Sequence, residues 1–298
     1  MATRAIVTSA ADSKFFPLLK GLVLSIRRAP SIAHLPMVVL DLGLGDADKA
    51  WLAQQNVTTI RIGWDIEFLA SAGVAEYIKA QAWRPFLPRH LPEAEVYVWM
   101  DADTWIQDER AVLLAIECAR REDAIAVVPE ISRFYRTLFL PPRELRSAEL
   151  AIYSACFGAE VANRLAMMPL INSGFFALAR NSQVWSLWAS LLSDMYRRSL
   201  NFYTEQTSLN YLIYARNLPF VSLPAYCNWI ALHALPSFDE TRGRLVEPGA
   251  PLQDIWIVHM AGPTKDGEHV LRTTAGKTVL RSLRFPETPT RPEASRPA

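Results

Sequence analysis

The stretch VYVWMDADT, residues 96–104, decides how this chain can fold. Its first five residues are apolar and mostly β-branched or aromatic, which is typical of a strand that is covered on both faces of a sheet. Asp101 and Asp103 follow directly. In an extended chain, a spacing of two places both side chains on one face. The segment therefore predicts a buried strand that ends in a pair of carboxylates.

A pair of carboxylates at a strand end indicates a cation site. Two such groups repel each other unless a cation lies between them. Oxygen ligands favour Mg²⁺ or Mn²⁺, and either ion would also hold the phosphates of a nucleotide. The alternative is a polar turn after a buried strand, because triplets of this kind are common by chance.

On both sides of this stretch, short apolar runs alternate with helical patterns. Strands are predicted at 4–10, 36–42, 57–62, 95–100 and 124–129, and helices at 15–28, 46–55 and 110–121. This alternation predicts βαβ units around a largely parallel sheet. Later in the chain, strands are predicted at 169–181 and 254–260, and helices at 182–198 and 205–215. Four prolines among polar residues predict a disordered tail from 276 to 298.

The composition excludes several classes of protein. Of the 298 residues, 51% are hydrophobic and 20% are charged, as in a folded globular protein. The 31 basic and 30 acidic residues nearly balance, which gives no reason to expect nucleic-acid binding. The cysteines lie far apart without a CxxC pair, which excludes a zinc ribbon or a disulfide scaffold and fits a reducing compartment. No apolar run reaches the roughly 18 residues that span a membrane, so a cytoplasmic protein is expected.

A second candidate site lies in IWIVHMAGPTK, residues 255–265. A predicted strand runs into His259, and Gly262 and Lys265 follow. Imidazole suits Mn²⁺ as a third protein ligand. Glycine lets the backbone approach a ligand closely, and lysine supplies a positive charge for a phosphate. The alternative is a histidine with only a structural role at the end of its strand.

Together the two stretches resemble a family, the retaining nucleotide-sugar glycosyltransferases that include glycogenin and the bacterial lipooligosaccharide galactosyltransferases (glycosyltransferase family 8). The family's DxD corresponds to Asp101 and Asp103, and its HxxGxxK corresponds to His259, Gly262 and Lys265. The Pro-Trp pair that usually follows this lysine is replaced here by Asp-Gly.

The resemblance implies an α/β fold of the GT-A type: a Rossmann-like, mostly parallel central sheet flanked by helices, with a smaller mixed C-terminal half. It implies a single domain over residues 1–275, with a nucleotide-binding half at about 1–130 and an acceptor-side half at about 131–275. It also implies Mn²⁺ or Mg²⁺ as the cofactor, held by Asp101, Asp103 and His259.

Further segments match the family in the same order. Lys79 lies on a helix ahead of the DxD strand, and LINSGF at 170–175 is similar to the family's FNSG segment. EQTSLN at 205–210 is similar to D-Q-D-x-L-N, with glutamate and threonine in place of the two aspartates. TSAAD at 8–12 occupies the nucleotide-base position, and Phe15 or Phe16 is available to stack on uracil. The resemblance thus implies the donor-binding residues Thr8, Ser9, Ala10, Asp12, Phe15, Lys79, Asp101, Ala102, Asp103, Ser173, Gly262 and Lys265.

The implied activity is metal-dependent transfer of a hexose from a UDP-sugar, with retention at the anomeric carbon. The acceptor is unidentified: a cell-surface glycan, a lipid-linked sugar or a protein. The candidate catalytic residues are Gln206, Glu205 and Asn172. A double displacement needs a nucleophile, for which Gln206 and Glu205 are the candidates. Because an amide is a poor nucleophile, a front-face mechanism stays open.

Two other functions stay open at this point. A sugar-1-phosphate nucleotidyltransferase has a related fold but normally carries a glycine-rich N-terminal loop, and residues 8–16 contain no glycine. The second is a non-catalytic nucleotide-sugar-binding protein, against which the intact DxD and HxxGxxK motifs argue. The expected partners are a UDP-sugar and its acceptor, and no nucleic acid. Peripheral contact of the basic tail with the inner face of a membrane stays open, as does the oligomeric state.

Overall fold

A mostly parallel sheet forms the centre of the fold. The computed structural model describes residues 4–122, 124–139 and 147–286. The strands in these ranges are β1 (Ala5–Ala11), β2 (Met37–Asp41), β3 (Val57–Arg61), β4 (Val96–Met100), β5 (Thr104–Ile106), β6 (Ile125–Pro129), β7 (Ile171–Ala179), β8 (Phe220–Ser222), β9 (Trp229–Ile230), β10 (Ser237–Asp239), β11 (Arg244–Val246), β12 (Ile257–His259), β13 (His269–Arg272) and β14 (Thr278–Arg281). Seven of these described strands form the central sheet, in the order β3-β2-β1-β4-β7-β6-β8.

Helices connect and cover the strands. In the described ranges they are α1 (Phe16–Arg27), α2 (Asp46–Gln54), α3 (Ile78–Trp83), α4 (Leu87–His90), α5 (Arg110–Glu122), α6 (Ser147–Phe157), α7 (Ala159–Ala166), α8 (Val184–Arg198) and α9 (Thr204–Ala215). Short 3₁₀ helices lie at Glu67–Ser71, Arg84–Phe86, Arg136–Leu138, Ala225–Asn228 and Gly262–Lys265. The predicted strands and helices are all present, with ends within a few residues of those expected. None of the helices in the described part is long and apolar enough to cross a bilayer.

The sheet departs from a purely parallel arrangement at one strand. β1 is parallel to β2 and β4, β2 is parallel to β3, and β6 is parallel to β8. β7 runs antiparallel to both of its neighbours, β4 and β6. The prediction of an α/β fold with a largely parallel sheet is therefore confirmed. The reversal at β7 places the start of that strand next to the end of β4.

β4 is buried on both faces, as its unbroken apolar sequence predicts. Val98 and the residues two positions before and after it lie on one face of β4. They pack into a cluster with residues of α1 and α5, among them Leu22 and Ala115. Trp99 points to the opposite face, where it joins a cluster that contains Trp188 of α8. Because core lies on both sides, β4 has one fixed register, and the two carboxylates that follow it emerge at a defined edge.

A smaller sheet returns the chain to the end of β4. Its order is β5-β12-β9, with β12 antiparallel to β5 and parallel to β9. Trp105, Trp229 and Val258 are buried in a third cluster beneath it. β9 and β12 come from the C-terminal half of the chain, whereas β5 follows directly after the carboxylates at the end of β4.

The prediction of a disordered tail from residue 276 is wrong for 276–286. β13 and β14 form an antiparallel hairpin, and the chain turns at Gly276, which has a φ of +79°. Leu271 and Leu283 are buried in the third cluster, and Trp105 Nε1 donates a hydrogen bond to the carbonyl of Leu283 over 2.7 Å. The proline-rich composition obscures these anchoring leucines. Residues 287–298 lie outside the described part of the chain.

Candidate active site

The antiparallel course of β7 brings an asparagine–serine–glycine segment to Asp101. Phe175 lies opposite Met100 in the ladder, so the residues before it lie beside the carboxyl end of β4. The backbone N–H of Asp101 donates to the carbonyl of Gly174 over 2.8 Å. On its other edge, β7 has a register shift against β6, and irregularities of this kind re-aim side chains near functional sites. Ser173, within this irregularity, is thereby directed into the site.

β12 brings His259 to Asp103 by the same kind of pairing. His259 lies opposite Thr104 in the ladder with β5, and the N–H of Met260 donates to the carbonyl of Asp103 over 2.9 Å. Nε2 of His259 then lies 3.4 Å from Oδ1 of Asp103. Ligand atoms of Asp101, Asp103 and His259 all lie within 4.8 Å of one another. The sequence-predicted metal ligands are thus brought together.

Gly174 makes this convergence sterically possible. A Cβ atom at this position would lie 2.7 Å from Oδ2 of Asp101, from Cε1 of His259 and from Oδ1 of Asn172. No side chain fits there without displacing these groups. Two carboxylates and one imidazole form a donor set that fits a divalent cation such as Mn²⁺ or Mg²⁺. These residues could therefore hold a metal ion.

Asp103 is surrounded by positive charge. Nζ of Lys265 lies 2.8 Å from its Oδ2. Burial alone would raise the pKa of Asp103, but His259 and Lys265 outweigh it and hold the pKa below the usual range. Burial likewise opposes the charged form of His259, while Asp103 and Asp101 raise the pKa of its imidazole above the usual value. Asp103 is consequently a carboxylate throughout the neutral range.

Asn228, which the sequence reading missed, orients the imidazole. Its Oδ1 lies 3.1 Å from Nδ1 of His259, on the opposite side of the ring from Asp103. Its Nδ2 donates to Oδ1 of Asn172 over 3.2 Å, and that oxygen also accepts the N–H of Gly174 over 2.9 Å. A partner on one ring nitrogen fixes which nitrogen can face a metal ion. Asn228 carries no local motif that could have identified it.

Arg84 is the second residue that the sequence reading missed, and it links three parts of the site. Its Nη2 donates to Oδ1 of Asp101 over 2.5 Å. Its Nη1 donates to Oε2 of Glu205 over 2.7 Å and to Oγ of Ser173 over 2.8 Å. The guanidinium lies 4.6 Å from the ring centre of Trp99, whose Nε1 also donates to Asp101. A lone arginine in the apolar run AWRPFL was the available signal.

Lys79, the basic residue that the sequence reading chose on this segment, does not reach the site. Its Nζ pairs with the carboxylate of Glu76 and lies 5.3 Å from the ring centre of Trp64. It lines neither of the two clefts described below. The basic side chain that contacts Asp101 is instead that of Arg84, the first residue of the 3₁₀ helix after α3.

Glu205 and Gln206 lie in the first turn of α9, as predicted. α9 is fixed to the start of β7 by Asn210, which exchanges two hydrogen bonds with the backbone of Ile171. Ser173 Oγ donates to Oε2 of Glu205 over 2.8 Å, and Oε1 of Gln206 accepts the N–H of Ser173 over 3.3 Å. Burial raises the pKa of Glu205 to about 7 despite the opposing effects of Arg84 and Ser173.

Two clefts meet at these residues. The first cleft has a volume of about 400 Å³ and contains Asn172, Glu205 and Gln206 in its wall. The second cleft has a volume of about 420 Å³ and extends to the end of β1. The residues that line both clefts are here called the junction: Gln81, Arg84, Asp101, Asp103, Phe202 and Lys265.

The second cleft receives some of the residues expected at the nucleotide position. Ala10, Asp12, Phe15 and Ala102 line it, and Nζ of Lys265 lies 5.0 Å from the ring centre of Phe15. Thr8 and Ser9 are fully buried within the sheet and line neither cleft, and Thr8 Oγ1 donates to the carbonyl of Val98. The chain reaches the cleft only where β1 ends, so the predicted donor contacts of these two side chains are not supported.

The first cleft also contains an acid–imidazole pair that the sequence reading did not identify. Oε2 of Glu130 lies 2.9 Å from Nε2 of His233, and Nδ2 of Asn172 donates to Oε1 of Glu130 over 3.2 Å. Tyr203 and Gly262 line the same cleft, and Gly262 has a φ of +61°. Glu130 follows β6 directly, where strand ends commonly carry functional groups.

No protein-family model matches the chain, and no curated protein is similar to it in sequence. Solved structures do match. Galactosyltransferase LgtC in complex with donor and acceptor sugar analogues has a TM-score of 0.57 at 15% identity, over 87% of this chain and 88% of LgtC. An active-site mutant of LgtC matches over the same shares at 14% identity, also with a TM-score of 0.57. The bifunctional glycosyltransferase WbbM matches at 14% identity with a TM-score of 0.57, over 90% of this chain but 48% of WbbM. At such identities the likeness concerns the fold, and the chain has the GT-A fold of these glycosyltransferases.

Proposed function

We propose that this protein is a metal-dependent retaining glycosyltransferase that moves a hexose from a UDP-sugar to a hydroxyl acceptor. The observation that carries the proposal is the convergence of His259, in the wall of the first cleft, with the junction carboxylates Asp101 and Asp103. One cleft offers room for a nucleotide and the other for an acceptor. A cation site between them lies where a diphosphate leaving group would be.

The cation proposed here is Mn²⁺, with Mg²⁺ as the alternative, because an imidazole is a better ligand for the softer ion. Asp101, Asp103 and His259 would hold it, and when bound it would supply Lewis-acid stabilisation of the charge on the departing diphosphate. Lys265 lies beside Asp103 and adds a positive charge at the same place. The fixed position of both groups favours catalysis, since they need no reorganisation during the reaction.

The second cleft is the proposed binding site for the uridine. Phe15 offers an aromatic ring for stacking on the base, and Asp12 and Ala10 line the cleft beside it. Nζ of Lys265 lies 5.0 Å from the ring centre of Phe15, which supports a diphosphate beside this lysine when the base stacks on the ring. A nucleotide in this cleft would therefore reach the cation site with its diphosphate.

Asn172, Glu205 and Gln206 are the proposed residues around the anomeric carbon. Oε2 of Glu205 already accepts hydrogen bonds from Arg84 and Ser173, which lowers its nucleophilicity, and Gln206 presents only an amide. Both facts favour a front-face departure of the leaving group without a covalent intermediate.

The role of Glu205 can be tested by adding azide, an external nucleophile, to the variant Glu205→Ala. No rescue by azide is expected, whereas restored turnover with a glycosyl azide product would identify Glu205 as the nucleophile.

Titration calorimetry of UDP tests the proposal most directly. We expect binding in the presence of Mn²⁺ that is lost when EDTA replaces the metal ion. Asp103→Asn should lose the metal-dependent binding while keeping its fold by circular dichroism. UDP-hexoses should then be hydrolysed and transferred. Absence of UDP binding under both conditions would overturn the proposal, and binding without hydrolysis or transfer would indicate a non-catalytic nucleotide-sugar-binding protein.

A further inference from the structure

Gln81 is a buried polar residue at the junction with an unpartnered amide oxygen. Gln81 lies on α3, three residues before Arg84, and is only 7% exposed. Its Oε1 is fully buried and has no hydrogen-bond partner among the described residues. Buried polar atoms are nearly always paired, so an unpaired one calls for an explanation, and at the wall of a cleft a bound ligand can provide it. The side chain lines both clefts, so a molecule bound there would lie beside this amide.

Phe202 shares this position and supplies an apolar surface. It lies just before α9 and is 50% exposed, and its ring makes edge contacts with Tyr77 at 5.8 Å and with Tyr203 at 5.0 Å. Among the described residues that line both clefts, Gln81 and Phe202 are the two without charge. The charged members of the junction pair with one another or lie next to the cation ligands.

An amide beside an exposed aromatic ring matches the chemistry of a pyranose. Hexoses present hydroxyl groups that donate and accept hydrogen bonds, and an amide can do both. They also present a face of C–H groups that packs on an aromatic ring. Sites of this kind use a few placed polar groups on an apolar surface to select their ligand.

The position of Gln81 and Phe202 favours the sugar as their ligand over the nucleotide and over the acceptor. The nucleotide end of the second cleft is formed by Asp12 and Phe15, and Glu130 and His233 belong to the first cleft alone. On the proposed function the transferred sugar lies where the two clefts meet, next to the ligands of the cation, because the cation would bind the diphosphate that carries the sugar. We propose that Gln81 and Phe202 contact the transferred hexose and determine which UDP-sugar is used, an inference that rests on the proposed function.

The test compares Gln81→Leu with Lys79→Met. Both residues lie on α3, but Lys79 lines neither cleft, so its variant controls for changes in the helix. Hydrolysis of UDP-glucose, UDP-galactose, UDP-N-acetylglucosamine and UDP-xylose is measured as kcat/KM, together with the affinity for UDP in Mn²⁺. We expect Gln81→Leu to change the ratio of kcat/KM between the two best donors by about 10-fold or more. The affinity for UDP should change by less than about 2-fold, because the amide is proposed to contact the sugar and not the nucleotide.

Phe202→Leu is the second variant, chosen because the side chain is exposed and its replacement leaves the core intact. It should weaken binding of the UDP-sugars but not of UDP. Unchanged donor ratios in both variants, with intact UDP binding and hydrolysis, would overturn the inference and leave the proposed function standing. Failure of the unmodified protein to bind UDP in Mn²⁺ would overturn both.

Discussion

Arg84 and Glu205 form a buried ion pair in which Nη1 of the arginine lies 2.7 Å from Oε2 of the glutamate. Their side chains are 5% and 1% exposed. The same guanidinium also pairs with Asp101, so one positive charge serves two carboxylates. Removing the arginine would leave both acids without this positive charge, and among the described residues only the neutral donors Trp99 and Ser173 would remain. We therefore expect Arg84→Met to lower the free energy of unfolding by about 3–5 kcal/mol, measured by urea denaturation.

Arg89→Met is the matched control for this prediction. Arg89 pairs with Asp65 over 3.2 Å, but the arginine side chain is 71% exposed. Water solvates the arginine when this pair is broken, and the buried Asp65, which is 6% exposed, keeps Nε2 of His90 at 2.8 Å as a partner, so the loss should stay below about 1 kcal/mol. Equal losses in the two variants would contradict the structural role assigned to Arg84.

Glu205 should make stability depend on pH near neutrality. Burial raises its pKa to about 7 from an ordinary value of 4.5. Between these values the folded protein holds a proton that the unfolded chain releases, so the free energy of unfolding falls as the pH rises through this window. Glu205→Gln removes the effect, which amounts to about 3 kcal/mol at most across the window.

The measurement is urea unfolding of both proteins from pH 4.5 to pH 8. His259 contributes a slope of the same sign, because its raised pKa gives stability that is lost as the pH rises. That slope is common to both proteins, so the difference between the two curves isolates Glu205. Parallel curves would show that the carboxyl group has an ordinary pKa in the folded state.

The parts of the fold and site that are predictable from sequence are those that local patterns encode. β4 is an uninterrupted apolar run, and its carboxylates follow at a spacing that fixes their common face. His259 likewise ends an apolar strand, at the spacing from Lys265 that the motif requires. The elements on both sides of β4 follow from the period of their hydrophobic residues.

The parts that are not predictable depend on contacts between distant segments. Arg84 and Glu205 are 121 positions apart, and Glu130 and His233 are 103 apart. The EQTSLN motif predicts Glu205, and an apolar run surrounds Arg84, but no local pattern shows which distant residue each of these side chains contacts. Thr8 is a different case, because it lies on a predicted strand, but the sequence does not show that its side chain faces the neighbouring strand instead of the cleft. The order of the strands in the sheet decides which of these residues contact one another and which side chains face the cleft.

Gly174→Ala should weaken metal binding without unfolding the protein. The added methyl group would lie 2.7 Å from groups of Asp101 and His259, which would have to move apart. We expect the affinity for Mn²⁺, measured by calorimetry with UDP present, to fall by about 10-fold or more. Gly63→Ala is the control, since a Cβ there meets no atom within 4 Å. Unchanged Mn²⁺ affinity in Gly174→Ala would place the metal ion elsewhere.

Asn228 should act as a positioning residue for His259. Its Oδ1 lies 3.1 Å from Nδ1 of the imidazole, so Asn228→Leu removes the partner that orients the ring. Loss of such a partner typically costs about 10–100-fold in metal affinity. Asn228→Asp keeps an acceptor oxygen at this position and should recover most of the affinity for Mn²⁺. If both variants lose the affinity for Mn²⁺ equally, the side chain of Asn228 matters only for packing.

Glu130 should matter for transfer to the acceptor more than for hydrolysis of the donor. It lines the first cleft but not the second, and it holds His233 and Asn172 through its two carboxylate oxygens. Glu130→Gln removes the charge, and we expect transfer from the best UDP-hexose to a panel of free mono- and disaccharides to fall by about 10-fold or more. Hydrolysis of the same donor in water should change by less than about 3-fold, because the cation ligands do not contact Glu130. Glu240→Gln, at an exposed position, controls for the loss of one charge. An equal loss of hydrolysis and transfer in Glu130→Gln would assign this carboxylate to the donor and not to the acceptor.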